Sequence, residues 1–187
     1  MSVKKTIEVL NTMQADGIIG RYAIAGAVAA YAYIEPAVTR DLDILVTFEK
    51  MSPSGLISLE PIYSYLAEKG YTQHEDEGLI IEGWPVQFLP VADDLQNEAL
   101  AEAGDIELRE DGETVTARVL KPEHLVAICL SVGRPKDLSR IVEFLEGDAV
   151  DIDALCSVLS RHNLRFVWKT FCAKMSVADP CDSTRTQ

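Results

Sequence analysis

The run Asp41-Leu42-Asp43-Ile44-Leu45-Val46-Thr47-Phe48 limits what this chain can fold into more than any other stretch. Its β-branched and aromatic residues predict a strand over 42–48 that begins at the aspartate pair. Leu42, Ile44, Leu45 and Val46 bury that strand and make it a rigid platform. Side chains two residues apart on a strand share a face, so Asp41 and Asp43 present two carboxylates side by side. Ionising both is costly without a cation between them. Hard oxygen ligands of this kind suit Mg²⁺, or Mn²⁺ in its place, which takes one or two carboxylates together with substrate phosphates.

The residues just upstream add a second element. Tyr22-Ala23-Ile24-Ala25 reads as a short buried strand, Gly26 follows it, and the small residues from Ala27 to Tyr33 suit a helix packed closely on a sheet, stopped by Pro36. A glycine at a strand-to-helix turn lets an anion approach the helix N-terminus. Phosphate held there, with metal on the next strand, would set an α-phosphate for in-line attack. Arg40 either contacts that phosphate or offsets the local negative charge.

Along the rest of the chain, periodicity predicts helices over 2–15, 56–69, 95–103, 122–131, 136–146, 152–160 and 165–175. Strands are expected over 71–74, 79–82, 86–89, 106–109 and 114–120, the last two joined through Glu110-Asp111-Gly112-Glu113. The plan is α+β: a core over 1–120, a C-terminal helical subdomain over 121–175 and a flexible tail over 176–187. Apolar residues make up 48% of the 187, enough for a packed core.

The net charge of −13 disfavours nucleic acid at long range, although Arg134, Lys136 and Arg140 form a local basic group. Cys129, Cys156, Cys172 and Cys181 lie far apart without metal-ligand spacing, which reads as reduced thiols and a cytoplasmic protein. Neither a signal peptide nor an apolar run of membrane-spanning length is present. His74, His124 and His162 are scattered and form no recognisable triad, while Trp84 and Trp168 read as packing anchors.

The stretch Tyr22 to Val46 resembles the nucleotidyltransferase superfamily, whose pattern is h-G-[G/S], a helix, then D-h-[D/E]-h. Its Thr39-Arg40-Asp41-Leu42-Asp43 end is similar to the AbiEii-type, abortive-infection nucleotidyltransferases of toxin–antitoxin systems. Leu120-Lys121-Pro122-Glu123-His124-Leu125, continuing to Gly133-Arg134-Pro135-Lys136-Asp137, resembles a later segment of the same group. The resemblance covers roughly residues 20 to 146. It implies a nucleotidyltransferase-like mixed β-sheet with packed helices, a nucleoside triphosphate donor, a divalent metal, and transfer of a nucleoside monophosphate to an RNA or protein acceptor. A cognate antitoxin-type partner would follow from the same resemblance. Asp41 and Asp43 would bind metal, Gly26, Ala27 and Arg40 would line the phosphate site, and Arg134 and Lys136 would approach the triphosphate.

Two departures from the pattern matter. Ala27 lacks the hydroxyl the superfamily often carries after its glycine. The third carboxylate falls at Gln87 in Val86-Gln87-Phe88, and a neutral amide is no general base. Glu82 or the Asp93-Asp94 pair would have to serve instead. The alternative is a catalytically degenerate protein of this fold that binds a nucleotide or a partner protein.

Overall fold

The computed structural model describes residues 2–35, 39, 41–48, 58–110 and 112–182. Helix α1 (Val3–Ala15) starts where the Ser2 side chain accepts from Lys5 N, and it turns Ile7, Leu10 and Met13 inward. Strand β1 (Tyr22–Ile24) leads into α2 (Gly26–Ala30), and β2 (Leu42–Val46) follows. Helix α3 (Glu60–Glu68), β3 (His74–Glu75), β4 (Gly78–Ile81), β5 (Trp84–Pro90) and α4 (Asp94–Ala101) come next. The hairpin of β6 (Gly104–Glu110) and β7 (Glu113–Val119) then precedes α5 (Pro122–Val132), α6 (Pro135–Glu146), α7 (Ile152–Arg161) and α8 (Arg165–Met175).

Among the described residues, seven strands form one mixed sheet in the order β3-β4-β5-β2-β1-β7-β6. The strand that begins after Asp41 is therefore the central one. It runs antiparallel to β1 and parallel to β5, with Asp43 in register with Gln87. Leu42, Ile44, Leu45 and Val46 are all buried, because a central strand is covered on both faces.

Helix α5 is the hub of the helical part and packs on α2, α4, α6, α7 and α8. Its buried Glu123 is satisfied by the backbone N–H of Asp151, at 2.9 Å, just before α7 begins. On α6, Ile141 and Phe144 point inward, whereas Lys136, Arg140 and Glu143 recur at i, i+4 and i+7 and face a cavity. That stripe ties the amphipathic pattern of α6 to the functional region.

Several sequence expectations are corrected. Helix α2 ends at Ala30 rather than Tyr33, since a small-residue segment of this length sustains few i→i+4 bonds. Helix α3 begins at Glu60, and residues 56 and 57 lie outside the described residues, as do Pro36 and Arg40. The strand expected over 71–74 is only His74–Glu75.

Cysteines 156 and 181 form a disulfide, while Cys129 and Cys172 are buried free thiols. Disulfides persist in oxidising compartments, so the cytoplasmic reading loses the support it drew from reduced cysteines. Residues after α8 make contacts back to that helix. Trp168 Nε1 donates to Asp179 Oδ1 at 2.8 Å, and the Arg165 guanidinium donates to the Cys181 carbonyl at 2.6 Å. No helix among the described residues is long and apolar enough to cross a membrane.

Candidate active site

A cavity of about 630 Å³ opens between the start of β2, the β1–α2 turn, and helices α5 and α6. That volume is of the size that accommodates a small organic ligand. Asp41, Asp43, Gly26 and Ala27 line one side, and Arg134, Lys136 and Arg140 line another. Leu45, Leu89, Leu120, Leu125, Ile128 and Val132 form apolar wall between them. Six of the eight residues singled out in the sequence thus border one space. Arg40 is outside the described residues, and Gln87 is not part of the lining.

Gly26 has a specific steric role. Its φ is +60°, and a Cβ built on it would come 1.9 Å from Asp43 Oδ2 and 2.8 Å from Asp43 Cγ. The Asp43 carboxylate therefore rests directly over the Gly26 backbone, and only a residue without Cβ permits it. The backbone N–H of Ala25 donates to the Asp43 carbonyl at 2.8 Å, which clamps the two strands at this level. Asp41 is exposed, and its Oδ1 accepts from the Thr39 hydroxyl at 2.8 Å.

Burial first, and the charge of Asp41 second, push the Asp43 carboxyl above its ordinary range. The positive charges of Lys136, Arg134 and Arg140 pull it the other way. Two carboxylates of which one is partly desolvated form a donor set that gains from a divalent cation. The fit is supported by the cradle over Gly26, which Asp43 Oδ2 fills and where any side chain would displace that ligand oxygen. Asp41 and Asp43 are the residues that would hold such an ion.

The basic wall is differentiated. Arg134 is held by Asp137: its Nε donates to Oδ2 at 2.7 Å, a second guanidinium nitrogen donates to Oδ1 at 3.2 Å, and its backbone N–H also reaches Oδ2. Asp137 is only 2% exposed and closes the start of α6 as a capping box. Lys136 and Arg140 make no ion pair among the described residues and act on Asp43 through charge alone. Burial pushes the Cys129 thiol up to about 11, which disfavours the thiolate at this cavity residue.

Gln87 lies beside Asp43 on β5, in parallel register. Its Nε2 donates to Glu77 Oε2 at 2.7 Å. The acids considered as substitutes for it are elsewhere. Glu82, in the turn before β5, accepts from the Tyr71 hydroxyl at 2.6 Å, and Asp93, after β5, caps α4 through Gln96 N. Neither Glu82, Asp93 nor Asp94 lines the cavity.

A second cluster was hidden in the sequence. Glu98 on α4 accepts from Arg161 at 2.6 Å and meets His124 Nε2 at 3.1 Å and His162 Nε2 at 2.9 Å. Glu98, Glu102 and His124 offer ligand atoms within 4.8 Å of one another, an arrangement that could hold a metal ion. Here, however, Arg161 and Lys121 already pair with the two carboxylates. The cluster acts as an ion network joining α4, α5 and α7. Only long-range packing unites these residues, and no local spacing signals them.

No protein-family model matches this sequence, and no curated protein is significantly similar to it. Solved structures that align with most of the chain include two nucleotidyltransferase-like or antibiotic-resistance proteins. An antigenic nucleotidyltransferase-like protein from Paracoccidioides brasiliensis is 14% identical over 91% of each chain, with a TM-score of 0.47. The antibiotic-resistance factor ANT(2'')-Ia is 16% identical over 91% of each chain, with a TM-score of 0.41. At these scores neither likeness bears on function, and the site stands on its own geometry.

Proposed function

We propose that the chain is a metal-dependent nucleotidyltransferase that moves a nucleoside monophosphate from a nucleoside triphosphate to an acceptor hydroxyl. The observation that carries this reading is the Asp41/Asp43 pair on the central strand, facing Lys136 and Arg140 across one cavity. Carboxylates that attract a divalent cation and bases that attract phosphate suit a metal–triphosphate and little else of that volume.

In this reading Asp41 and Asp43 hold Mg²⁺ or Mn²⁺, which when bound would neutralise charge on the phosphates. Lys136 and Arg140 attract the phosphate tail, and Arg134, fixed by Asp137, offers its remaining guanidinium N–H. The apolar wall from Leu120 to Val132 covers the nucleoside and excludes water from the α-phosphate. Ala27 contributes its backbone rather than a hydroxyl. An RNA or protein acceptor, an AbiEii-type affiliation and an antitoxin-type partner are supported by the sequence motifs alone.

The test is incubation with labelled triphosphates, Mn²⁺ or Mg²⁺, and total RNA or cell lysate. Label transferred to a macromolecule is the expected outcome, and it is lost in the Asp41→Asn/Asp43→Asn variant. Equal transfer by that variant would refute the reading. A second reading, nucleotide binding without turnover, is favoured by the neutral Gln87 in register with Asp43. It predicts triphosphate binding with no release of pyrophosphate.

A further inference from the structure

We infer that Glu77 supplies the carboxylate that strand β5 lacks and acts as the proton acceptor for the attacking hydroxyl. This rests on the nucleotidyl-transfer reading of the site and extends it to the acceptor side.

Residues paired across adjacent parallel strands project to the same face, and their strands lie about 4.8 Å apart. Asp43 and Gln87 are such a pair, so the Gln87 amide stands next to the Asp43 carboxylate. Strand β4 pairs with the other edge of β5, antiparallel, with Leu79 opposite Val86. That places the β3–β4 turn at the level of Gln87 and Asp43 rather than at the far end of the sheet. The turn is tight, with Glu75 paired to Gly78 and Asp76 at φ +50°. From this turn Glu77 reaches the Gln87 amide, which donates to Oε2 at 2.7 Å.

An amide bound in this way has a definite chemical result. Gln87 cannot accept a proton usefully, but by donating Nε2 it holds a carboxylate one side chain further from Asp43. Its hydrogen bond engages Oε2 and leaves Oε1 available as an acceptor. Glu77 is exposed and, like Gln87, lies outside the cavity lining, so an acceptor would reach it from solvent at the β5 edge of the Asp43 level. In-line displacement then requires the acceptor oxygen to meet the α-phosphorus opposite the leaving pyrophosphate.

The step balances simply. The acceptor O–H gives its proton to Glu77 Oε1, and its oxygen forms the new bond to the α-phosphorus. The bridging P–O bond to the β-phosphate breaks, and pyrophosphate leaves with that electron pair. Glu77 then passes the proton to water.

The experiment follows pyrophosphate release from the four nucleoside triphosphates with Mn²⁺. Glycerol serves as the hydroxyl probe, a neutral molecule that Glu75, Asp76 and Glu77 do not repel. Binding of a non-hydrolysable α,β-methylene triphosphate is measured alongside. Glu77→Gln should lower kcat by about 10²- to 10⁴-fold, the usual contribution of a general base, with analogue binding within about two-fold of wild type. Moving the carboxylate back onto the strand, in Glu77→Gln/Gln87→Glu, should recover at least about ten-fold of that loss. Asp43→Asn separates the two levels of the argument. If Asp43→Asn abolishes release while Glu77→Gln does not slow it, the role of Glu77 is overturned and the site reading stands. If release survives Asp43→Asn, or wild type binds the analogue and releases nothing, both fall.

Discussion

Replacing Gly26 with alanine tests the geometry on which the site depends. Two costs are separable. Alanine at φ +60° pays the left-handed penalty of about 1–2 kcal/mol. Its Cβ would also overlap Asp43 Oδ2, at 1.9 Å, and crowd Cγ, at 2.8 Å. Relieving that overlap requires the carboxylate to swing off the Gly26 backbone or the strand to shift, a further cost of about 1–3 kcal/mol. Gly70 is the control, because its φ is +92° and nothing lies within 4 Å of an added Cβ. Denaturant unfolding should therefore show Gly70→Ala destabilised by about 1–2 kcal/mol and Gly26→Ala by about 2–5 kcal/mol. The clash is with the Asp43 carboxyl in particular, so Asp43→Ala should relieve most of it, leaving only the 3.0 Å approach to Asp43 Cβ. A double-mutant cycle between the two positions should return a coupling of about 1–2 kcal/mol. Equal destabilisation of the two glycine variants, with additivity within about 0.5 kcal/mol in the cycle, would refute the placement of Asp43 over Gly26.

Other outcomes follow from the helical part of the molecule. Contacts with Arg161, then His124 and His162, hold the Glu98 carboxyl down at about 2 against the raising effect of burial. A depressed folded-state pKa adds stability above the unfolded value near 4.5 that is lost as pH falls towards about 2. Glu98→Gln should cost about 1–3 kcal/mol at neutral pH, and the gap from wild type should narrow over that acid window in urea melts. A gap independent of pH would refute the network. The Cys156–Cys181 disulfide spans a sequence separation of 25, for which loop entropy gives about 3.5 kcal/mol. Cys156→Ser should lower the Tm by about 7–14 °C, and thiol labelling of the unfolded wild type should find only Cys129 and Cys172 reactive.

The elements legible in the sequence are those set by local pattern. The buried run from Leu42 to Val46 could only be an interior strand, and the apolar spacing of α5 to α8 allowed only packed helices. Ser2 and Asp151 cap the helices that follow them, because their side chains accept from backbone N–H groups locally. Where local pattern was weak, the boundaries moved: α2 is short because alanines at a sheet surface leave little to hold further turns.

By itself the sequence determined the placement of two aspartates on a buried strand, a glycine before it, and a basic stripe at Lys136 and Arg140 on α6. Each of these follows from residue type and periodicity along a single element. Only the tertiary structure decided what stands beside what. It set Gln87 against Asp43, brought Glu77 to Gln87, parked the Asp43 carboxylate over Gly26, gathered two distant histidines on Glu98 and joined Cys156 to Cys181. Strand register and helix docking are choices made by the whole core, since sliding one strand by one residue would turn every side chain to the other face. No local spacing encodes that choice, so the partners of the aspartate pair became visible only once the sheet was assembled.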